Sequence, residues 1–179
     1  GGGGSNSLNS MISLQQIQGV EFVSVNTDAQ ALMNNQSPTK VQIGETLTKG
    51  LGSGGDPEVG QQAAEESTQK LQDVLADADM VFLTAGMGGG TGTGSIPIVA
   101  QIAKSIGALT VAVVTKPFAF EGTRRMMVAE DGLKKLKDKV DALIIIPNQR
   151  LLETVEKNMT LQEAFKLADS VLGQGVQGI

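Results

Sequence analysis

Apolar residues along this chain fall into short continuous runs, and these runs alternate with longer segments of helical periodicity. The runs predict buried β-strands at residues 20–26, 80–84, 108–115 and 142–146. The periodic segments predict helices at residues 57–76, 96–106, 124–140 and 161–176. Because the runs are rich in Val, Ile and Leu and helices separate them, the pattern predicts an α/β fold. We expect a Rossmann-like parallel sheet with helices on both faces, which makes three layers.

The most informative stretch lies between a predicted strand and a predicted helix. It is the glycine loop, residues 88–94, which reads Gly-Gly-Gly-Thr-Gly-Thr-Gly. Glycines let backbone N–H groups converge on a ligand, and the helix that follows adds the positive end of its dipole. A flexible linker is the alternative, but the flanking strand and helix favour a phosphate site. It is not a P-loop, since no Gly-Lys-Ser/Thr closes it. We expect a side chain at Gly90 or Gly92 to obstruct phosphate or to require a forbidden φ.

The amino-acid composition limits the partners, metals and catalytic groups that this chain can use. The 179 residues suit one domain, and 40% hydrophobic with 18% charged residues indicates a globular chain. A formal net charge of −5 argues against nucleic acid as a partner. The chain has neither Cys nor His, which excludes disulfides, zinc sites and Ser/His or Cys/His nucleophiles, and leaves oxygen-liganded metals such as Mg²⁺. No apolar run reaches the roughly 18 residues of a membrane span, so we expect no direct membrane insertion.

Several further blocks resemble a known family. They occur in the family's order at residues 1–6 (Gly-Gly-Gly-Gly-Ser-Asn), 26–30 (Asn-Thr-Asp-Ala-Gln), 50–58, 118–122, 146–148 and 174–179. Together with the glycine loop, which resembles the tubulin signature loop, they resemble the FtsZ branch of the tubulin/FtsZ family. These are filament-forming GTPases of bacterial and plastid division. The resemblance implies that GTP or GDP binds, with Mg²⁺ held through the phosphates and not by direct protein ligands.

The resemblance also implies roles for individual residues. Phosphate contacts are implied for Gly2, Gly3, Gly4, Ser5, Ser53, Gly54, Gly88, Gly89, Gly90, Thr91, Gly92 and Thr93. A position near the terminal phosphate and Mg²⁺ is implied for Asn26 and Asp28, although spacing alone also fits an Asx-turn. Contacts to the nucleoside are implied for Asn6, Glu121, Arg125, Asn148, Phe165 and Asp169.

Four of these residues need further comment. Glu121 and Arg125 are spaced as a surface ion pair, which is the alternative to ribose and nucleotide contacts. In the family, Asp169 accepts hydrogen bonds from guanine N1–H and N2–H beside the Phe165 platform. Adenine offers neither donor, so this pair implies guanine selectivity.

The organisation expected from the resemblance is a GTP-binding domain over residues 1–160, followed by the start of a linking helix over residues 161–179. No strand precedes Gly1–Gly4, so we expect the sheet to lack its first strand. No catalytic residue is expected, because in the family an acidic loop beyond the linking helix activates water on the next subunit's nucleotide. We therefore expect this chain to hold nucleotide better than it hydrolyses it.

The resemblance implies self-association into head-to-tail filaments and binding of division adaptors through a tail beyond residue 179. It implies a location in the cytoplasm at the division site, or in the plastid stroma. Two other functions stay open. Residues 50–55 fit G-x-G-x-x-G, the spacing of a nicotinamide-dinucleotide oxidoreductase, although residues 41–47 before them are a poor buried strand. A non-enzymatic partner-binding module, in which nucleotide only orders the loops, is the other.

Overall fold

The computed structural model describes residues 21–147. Within this range the strands are β1 (Val23–Asn26), β2 (Thr39–Gln42), β3 (Met80–Gly86), β4 (Leu109–Lys116) and β5 (Ala142–Pro147). The helices are α1 (Ala29–Met33), α2 (Glu45–Thr48), α3 (Pro57–Glu66), α4 (Thr68–Leu75), α5 (Thr91–Ser105) and α6 (Thr123–Lys137). A 3₁₀ turn, Ala119–Glu121, precedes α6. None of these helices is long and apolar enough to cross a membrane.

All strand pairs are parallel, which confirms the predicted α/β class. β1 pairs with β2, and β3, β4 and β5 pair in chain order. One sheet was predicted, whereas the described strands form a two-stranded and a three-stranded sheet. Side chains join them instead: Val23 and Val25 of β1 and Leu83 of β3 pack on one buried cluster. The expected absence of a first strand concerns residues outside the described range.

Helix α5 is the centre of the helix layer. Its Ile96 and Ala100 pack with Ala112 and Val114 of β4, and Leu133 of α6 closes the same cluster. On the opposite face of the three-stranded sheet, Val111 and Val113 form a second apolar cluster with Phe82, Ile144 and Ile146. Both faces of this sheet are therefore apolar, as a three-layer fold requires. The predicted helix at residues 161–176 lies outside the described residues.

Local hydrogen bonds explain where the elements differ from the prediction. The predicted helix at 57–76 is two helices, α3 and α4, because the chain bends at Ser67, whose hydroxyl accepts from the Gly44 N–H at 3.0 Å. Gly44, at φ 65°, separates β2 from α2, so the stretch at 41–47 does not continue as a strand. Helix α5 begins at Thr91, earlier than predicted, because the glycine loop supplies its first turn.

Candidate functional site

The glycine loop makes a sharp turn between β3 and α5. The Met87 N–H donates to the Thr115 carbonyl at 2.9 Å, and the Gly88 N–H donates to Thr93 Oγ1 at 2.8 Å. Gly88 has φ 117°, and a Cβ there would lie 2.8 Å from the ring of Pro117. Only glycine fits this position, and the turn brings the start of α5 to the carboxyl edge of the sheet.

The N-terminus of α5 has no side-chain cap. Gly90 is its N-cap residue and offers no side-chain acceptor, whereas Asp28 and Asp56 cap α1 and α3 with their carboxylates. The first N–H groups of a helix have no intrahelical partner, and they carry the positive end of the dipole. A Cβ on Gly89 would lie 3.6 Å from Arg125 Nη2, so a guanidinium lies beside this loop. Free amides, a helix dipole and a cation together suit an anion.

The segment 50–56 lies directly against the glycine loop. Gly52, Gly54 and Gly55 all have positive φ, and Ser53 is the one residue with a side chain among positions 52–55. A Cβ on Gly90 would overlap Ser53 Oγ and lie 2.7 Å from the Asp56 nitrogen. Gly90 itself has φ −91°, an ordinary value. The expectation of a forbidden φ at Gly90 is therefore wrong, and steric contact with this segment is the reason for glycine there.

Two further glycines hold α3 against the first turn of α5. A Cβ on Gly94 would overlap the Pro57 carbonyl and lie 2.7 Å from the Gln61 nitrogen. A Cβ on Gly60 would overlap the Gly90 carbonyl. Gly60 was not predicted to belong to the site, and Gly94 was predicted only as the last residue of the glycine loop, without a phosphate contact of its own. The available signal was a glycine in the interior of a capped helix, which usually has a packing reason.

The loop between β1 and α1 also contacts the glycine loop. Asn26 Oδ1 accepts from the Asp28 N–H at 3.2 Å, and Asp28 Oδ1 accepts from the N–H groups of Gln30 and Ala31 at 3.0 and 3.1 Å. This is the Asx-turn and cap that spacing alone suggested. Thr27 is fully buried, and its Oγ1 lies 2.8 Å from Thr91 Oγ1. Thr27 connects this loop to the site and was missed.

The ion pair of Glu121 and Arg125 is present. Glu121 Oε1 lies 3.4 Å from Arg125 Nη1, and Glu121 Oε2 accepts from the Phe118 N–H at 2.6 Å. The arginine side chain is 53% exposed, so the pair itself adds little stability. Because Arg125 also borders Gly89, the pair fixes a cation at the edge of the glycine loop.

The described part of the predicted site converges on one place. The glycine loop contacts segment 50–56 through Gly90, the β1–α1 loop through Thr91, and α6 through Gly89. The predicted site residues outside the described range are Gly2, Gly3, Gly4, Ser5, Asn6, Asn148, Phe165 and Asp169. Between residues 21 and 147, no cluster of three or more acidic side chains could hold a metal ion.

The G-x-G-x-x-G spacing at residues 50–55 has the wrong context for a dinucleotide fingerprint. That motif must follow a strand directly, yet here α2 lies between β2 and Gly50. The segment is instead attached to the β1–α1 loop. The Ala29 N–H donates to the Gly50 carbonyl at 3.2 Å, and the backbones of Asp28 and Leu51 form an isolated antiparallel β-bridge. The structure does not favour the nicotinamide alternative.

A parallel α/β domain with an uncapped, glycine-rich helix start at the carboxyl edge of its sheet defines a nucleotide-phosphate-binding domain. The model of the Tubulin/FtsZ family, GTPase domain, matches residues 1–156, so the chain belongs to this family.

Solved structures agree with this assignment. An empty FtsZ dimer from M. jannaschii is 50% identical with a TM-score of 0.93, over 98% of this chain and 51% of that one. The FtsZ W319Y mutant from M. jannaschii is also 50% identical, with a TM-score of 0.92 over 98% and 53%. The GTPγS-bound CetZ2 protofilament from Haloferax volcanii, 24% identical with a TM-score of 0.85 over 97% and 54%, shares the fold. The chain spans about half the length of these structures.

Proposed function

We propose that this chain is the GTP-binding half of a filament-forming GTPase of cell division. The observation that carries the proposal is the uncapped start of α5 behind the glycine loop, with Arg125 beside Gly89. Membership of the Tubulin/FtsZ family makes the anion the phosphates of GTP or GDP. Mg²⁺ would neutralise the phosphate oxygens, and the described acids offer it no cluster of direct ligands.

The proposed division of labour follows the position of each group. In this proposal, amides of the glycine loop hold phosphates, Arg125 adds a positive charge, and Ser53 and Gly54 contact the terminal phosphate. Asn26 and Asp28 hold their loop in place through their own turn and cap. We propose that this loop lies near the terminal phosphate and its Mg²⁺. Residues outside the described range complete the proposal: Gly2–Ser5 on phosphates, Asn6 and Asn148 on the nucleoside, and Phe165 with Asp169 on guanine.

Self-association is part of the proposal. Similar solved structures are a dimer and a protofilament, and a head-to-tail interface propagates only when each subunit carries both surfaces. We propose that this chain carries the nucleotide face of such an interface, and that division adaptors bind a tail beyond it. The proposed place of action is the cytoplasm at the division site, or the plastid stroma.

Equilibrium titration of the purified chain with GTP, ATP and NAD tests this function. We expect GTP to bind and to be preferred. Asp169→Ala should remove about 1.5–3 kcal/mol of GTP affinity, as for a hydrogen bond to a charged group, together with most of the preference over ATP. Asp73→Ala, an exposed acid on α4, is the matched control. Binding of NAD without GTP would instead support the oxidoreductase.

Turnover is tested separately by phosphate release and light scattering. Positioning of the attacking water supplies much of the barrier reduction in phosphoryl transfer. The resemblance assigns this role to an acidic loop beyond the linking helix, so the chain alone should stay near the uncatalysed rate. Added to a complete family member, it should lower polymer mass by occupying filament ends. Robust concentration-dependent hydrolysis by the chain alone would require an acid within it, with Asp28 and Asp56 the first to mutate. Nucleotide affinity without turnover, even when the remaining part of a complete family member is supplied, would support the partner-binding module.

A further inference from the structure

A groove with a volume of about 730 Å³ runs along α5, between α3 and α6. Its floor includes Thr93, Gly94 and Pro97 of α5, which are small or compact. Gly94 lets α3 pack closely against this floor, and Gly132 lets α6 do so, since a Cβ on either glycine would overlap the neighbouring helix. The packing of three helices therefore leaves a channel whose two walls are helix faces.

Apolar side chains remain uncovered in this groove. Met127 lines it and is 66% exposed, and Ile98 and Val128, which also line it, are half-buried. Covering apolar surface contributes roughly 25 cal/mol per Å². The unbranched thioether of methionine adapts to partners of different shape, and it is common on binding surfaces. A ligand with an apolar stripe would therefore be stabilised here.

The two walls of the groove carry opposite charges. On α3, Glu65 accepts from the neutral side-chain amide of Gln61 at 2.9 Å and so keeps its negative charge. The acid on the α6 side, Asp131, lies 3.5 Å from Lys135 Nζ and is paired within its own helix. The lining cations on that side are Arg124, Lys135 and Lys139, which leave it net positive. A complementary ligand has a basic flank toward α3 and an acidic flank toward α6.

We propose that this groove binds an amphipathic α-helix of a partner protein, whose apolar stripe separates an acidic flank from a basic one. The lining positions of α6 extend from Arg124 to Lys135, roughly 16 Å at 1.5 Å per residue, which accommodates about three helical turns. A helix over α5 would contact α3 and α6 at once, as in ordinary helix packing. The inference goes beyond the proposed function and does not depend on nucleotide binding.

A second copy of this chain fits the groove less well than a partner helix. Among residues 21–147, the longer helices bury their own apolar faces in this domain, as Leu71 does in α4 and Leu136 does in α6. None of these helices therefore offers another copy a free apolar stripe of about three turns.

Fluorescence anisotropy with a synthetic peptide tests the proposal on the whole chain. The probe is a fluorescein-labelled peptide of about 16 residues, long enough to form a helix, with a stripe of Leu, Glu along one flank and Lys along the other. A peptide of the same composition in scrambled order is the reference. The ordered peptide should bind at least about tenfold more tightly than the scrambled one. Equal affinities of the two peptides would overturn the proposal.

Two exposed methionines provide a matched pair of variants for the apolar contact. Met127→Gln should weaken binding of the ordered peptide about fivefold or more, because it removes apolar surface from the groove at nearly constant length. Met33→Gln, at a 77% exposed position at the end of α1 and outside the groove, should change the affinity less than about twofold. Neither side chain is buried, so both variants should fold. Equal effects of the two variants would contradict binding in the groove.

Two adjacent lysines of α6 provide the matched pair for the charges. Lys135 lines the groove and Lys134 does not, and both are exposed. Lys135→Glu should weaken binding about threefold more than Lys134→Glu at low salt, and the difference should shrink at high salt, where exposed charges are screened. Equal effects at low salt would overturn the proposed acidic flank.

Sedimentation of the same samples distinguishes a partner helix from a second copy. The proposal predicts that Met127→Gln and Met33→Gln sediment as the wild-type chain does. A wild-type dimer that only Met127→Gln converts to a monomer would assign the groove to a second copy and overturn the proposal.

Discussion

Helices α3 and α5 begin side by side, and they differ in how the unpaired N–H groups of their first turns are satisfied. At the start of α3, the Asp56 carboxylate accepts from the Glu58 N–H at 3.0 Å, and Pro57 occupies the first turn. At the start of α5, Gly90 offers no side-chain acceptor. Both N-termini have orphan N–H groups and a positive dipole end. The first is satisfied by the chain itself, so the second is the one left for a phosphate.

The glycines within the glycine loop also differ in their roles. Gly90 and Gly94 have no Cβ because α3 and segment 50–56 lie against them, whereas Gly89 borders only the Arg125 guanidinium. A single glycine motif thus combines positions required for packing with a position open to ligand. Mutations should separate these two classes.

The largest expected effect is on packing. Gly94→Val would drive a side chain into the backbone of α3 at Pro57 and Gln61, which cannot yield as a side chain can. We expect a loss of more than about 3 kcal/mol in the free energy of unfolding and a fall in Tm of about 6–12 °C. Thermal unfolding by circular dichroism measures it. Gln101→Val, on an exposed position of the same helix, is the control and should change Tm little. A normal Tm for Gly94→Val would break the distinction between the two classes.

The next largest effect is on nucleotide affinity, with the packing of the domain unchanged. Gly89→Ala meets only Arg125 Nη2, at 3.6 Å, so the fold should be unchanged. The methyl group occupies space that phosphate needs, so we expect GDP and GTP affinities to fall together by about tenfold, or ~1.4 kcal/mol. Calorimetric titration and Tm should be measured on the same sample. Unchanged affinity with unchanged Tm would show that the loop is a connection and not a binding element.

Removing the cap of α3 should lower the stability of the fold and leave nucleotide affinity nearly unchanged. Asp56→Ala leaves the Glu58 N–H without its acceptor, which costs about 1 kcal/mol and a few degrees of Tm. GDP affinity should stay within about twofold, because the cap serves the fold. Asp56→Asn, which keeps an acceptor, should recover most of the stability. A large loss of GDP affinity in Asp56→Ala with normal Tm would place this carboxylate in the site instead.

The smallest effect concerns acid pH, far from both helix starts. The Thr110 N–H donates to Asp141 Oδ2 at 2.8 Å, and this bond, with Lys104 nearby, holds the pKa of Asp141 below its ordinary value. A lowered folded-state pKa stabilises the fold above the unfolded pKa, and this contribution is lost as pH falls through the folded pKa. Asp141→Asn should therefore lower Tm slightly at pH 7, and the gap should close as pH falls well below about 4. A gap independent of pH would contradict the assignment.

Several features could be predicted from the sequence because they have local causes. The Asp56 cap with Pro57 behind it, the glycine turn after β3 and the Asx-turn at Asn26 all depend on neighbours within a few residues. The features that escaped prediction depend on distant partners. The bend at Ser67 depends on Gly44, and the glycines at positions 60 and 94 depend on the approach of α3 to α5.

The same limit applies to the candidate site. The resemblance implies which residues face a nucleotide, including Gly90, and this stays a prediction. It did not indicate that Gly90 is confined by segment 50–56 or that Thr27 joins two loops. Those roles become visible only when the positions of three separate loops are known. Sequence patterns therefore supply candidate members of the site, and tertiary contacts show how the described members are held in place.

Amide hydrogen exchange with and without GDP and Mg²⁺ tests the central claim most directly, because it observes both helix starts in one sample. Nucleotide should slow exchange of the amides of residues 89–93, which begin α5 without a cap. Exchange at Glu58 should change little, because its N–H is already bonded to Asp56. Protection of residues 89–93 by GDP, absent in Gly89→Ala, is the expected result. Protection at the start of α3 with none at α5 would contradict the account.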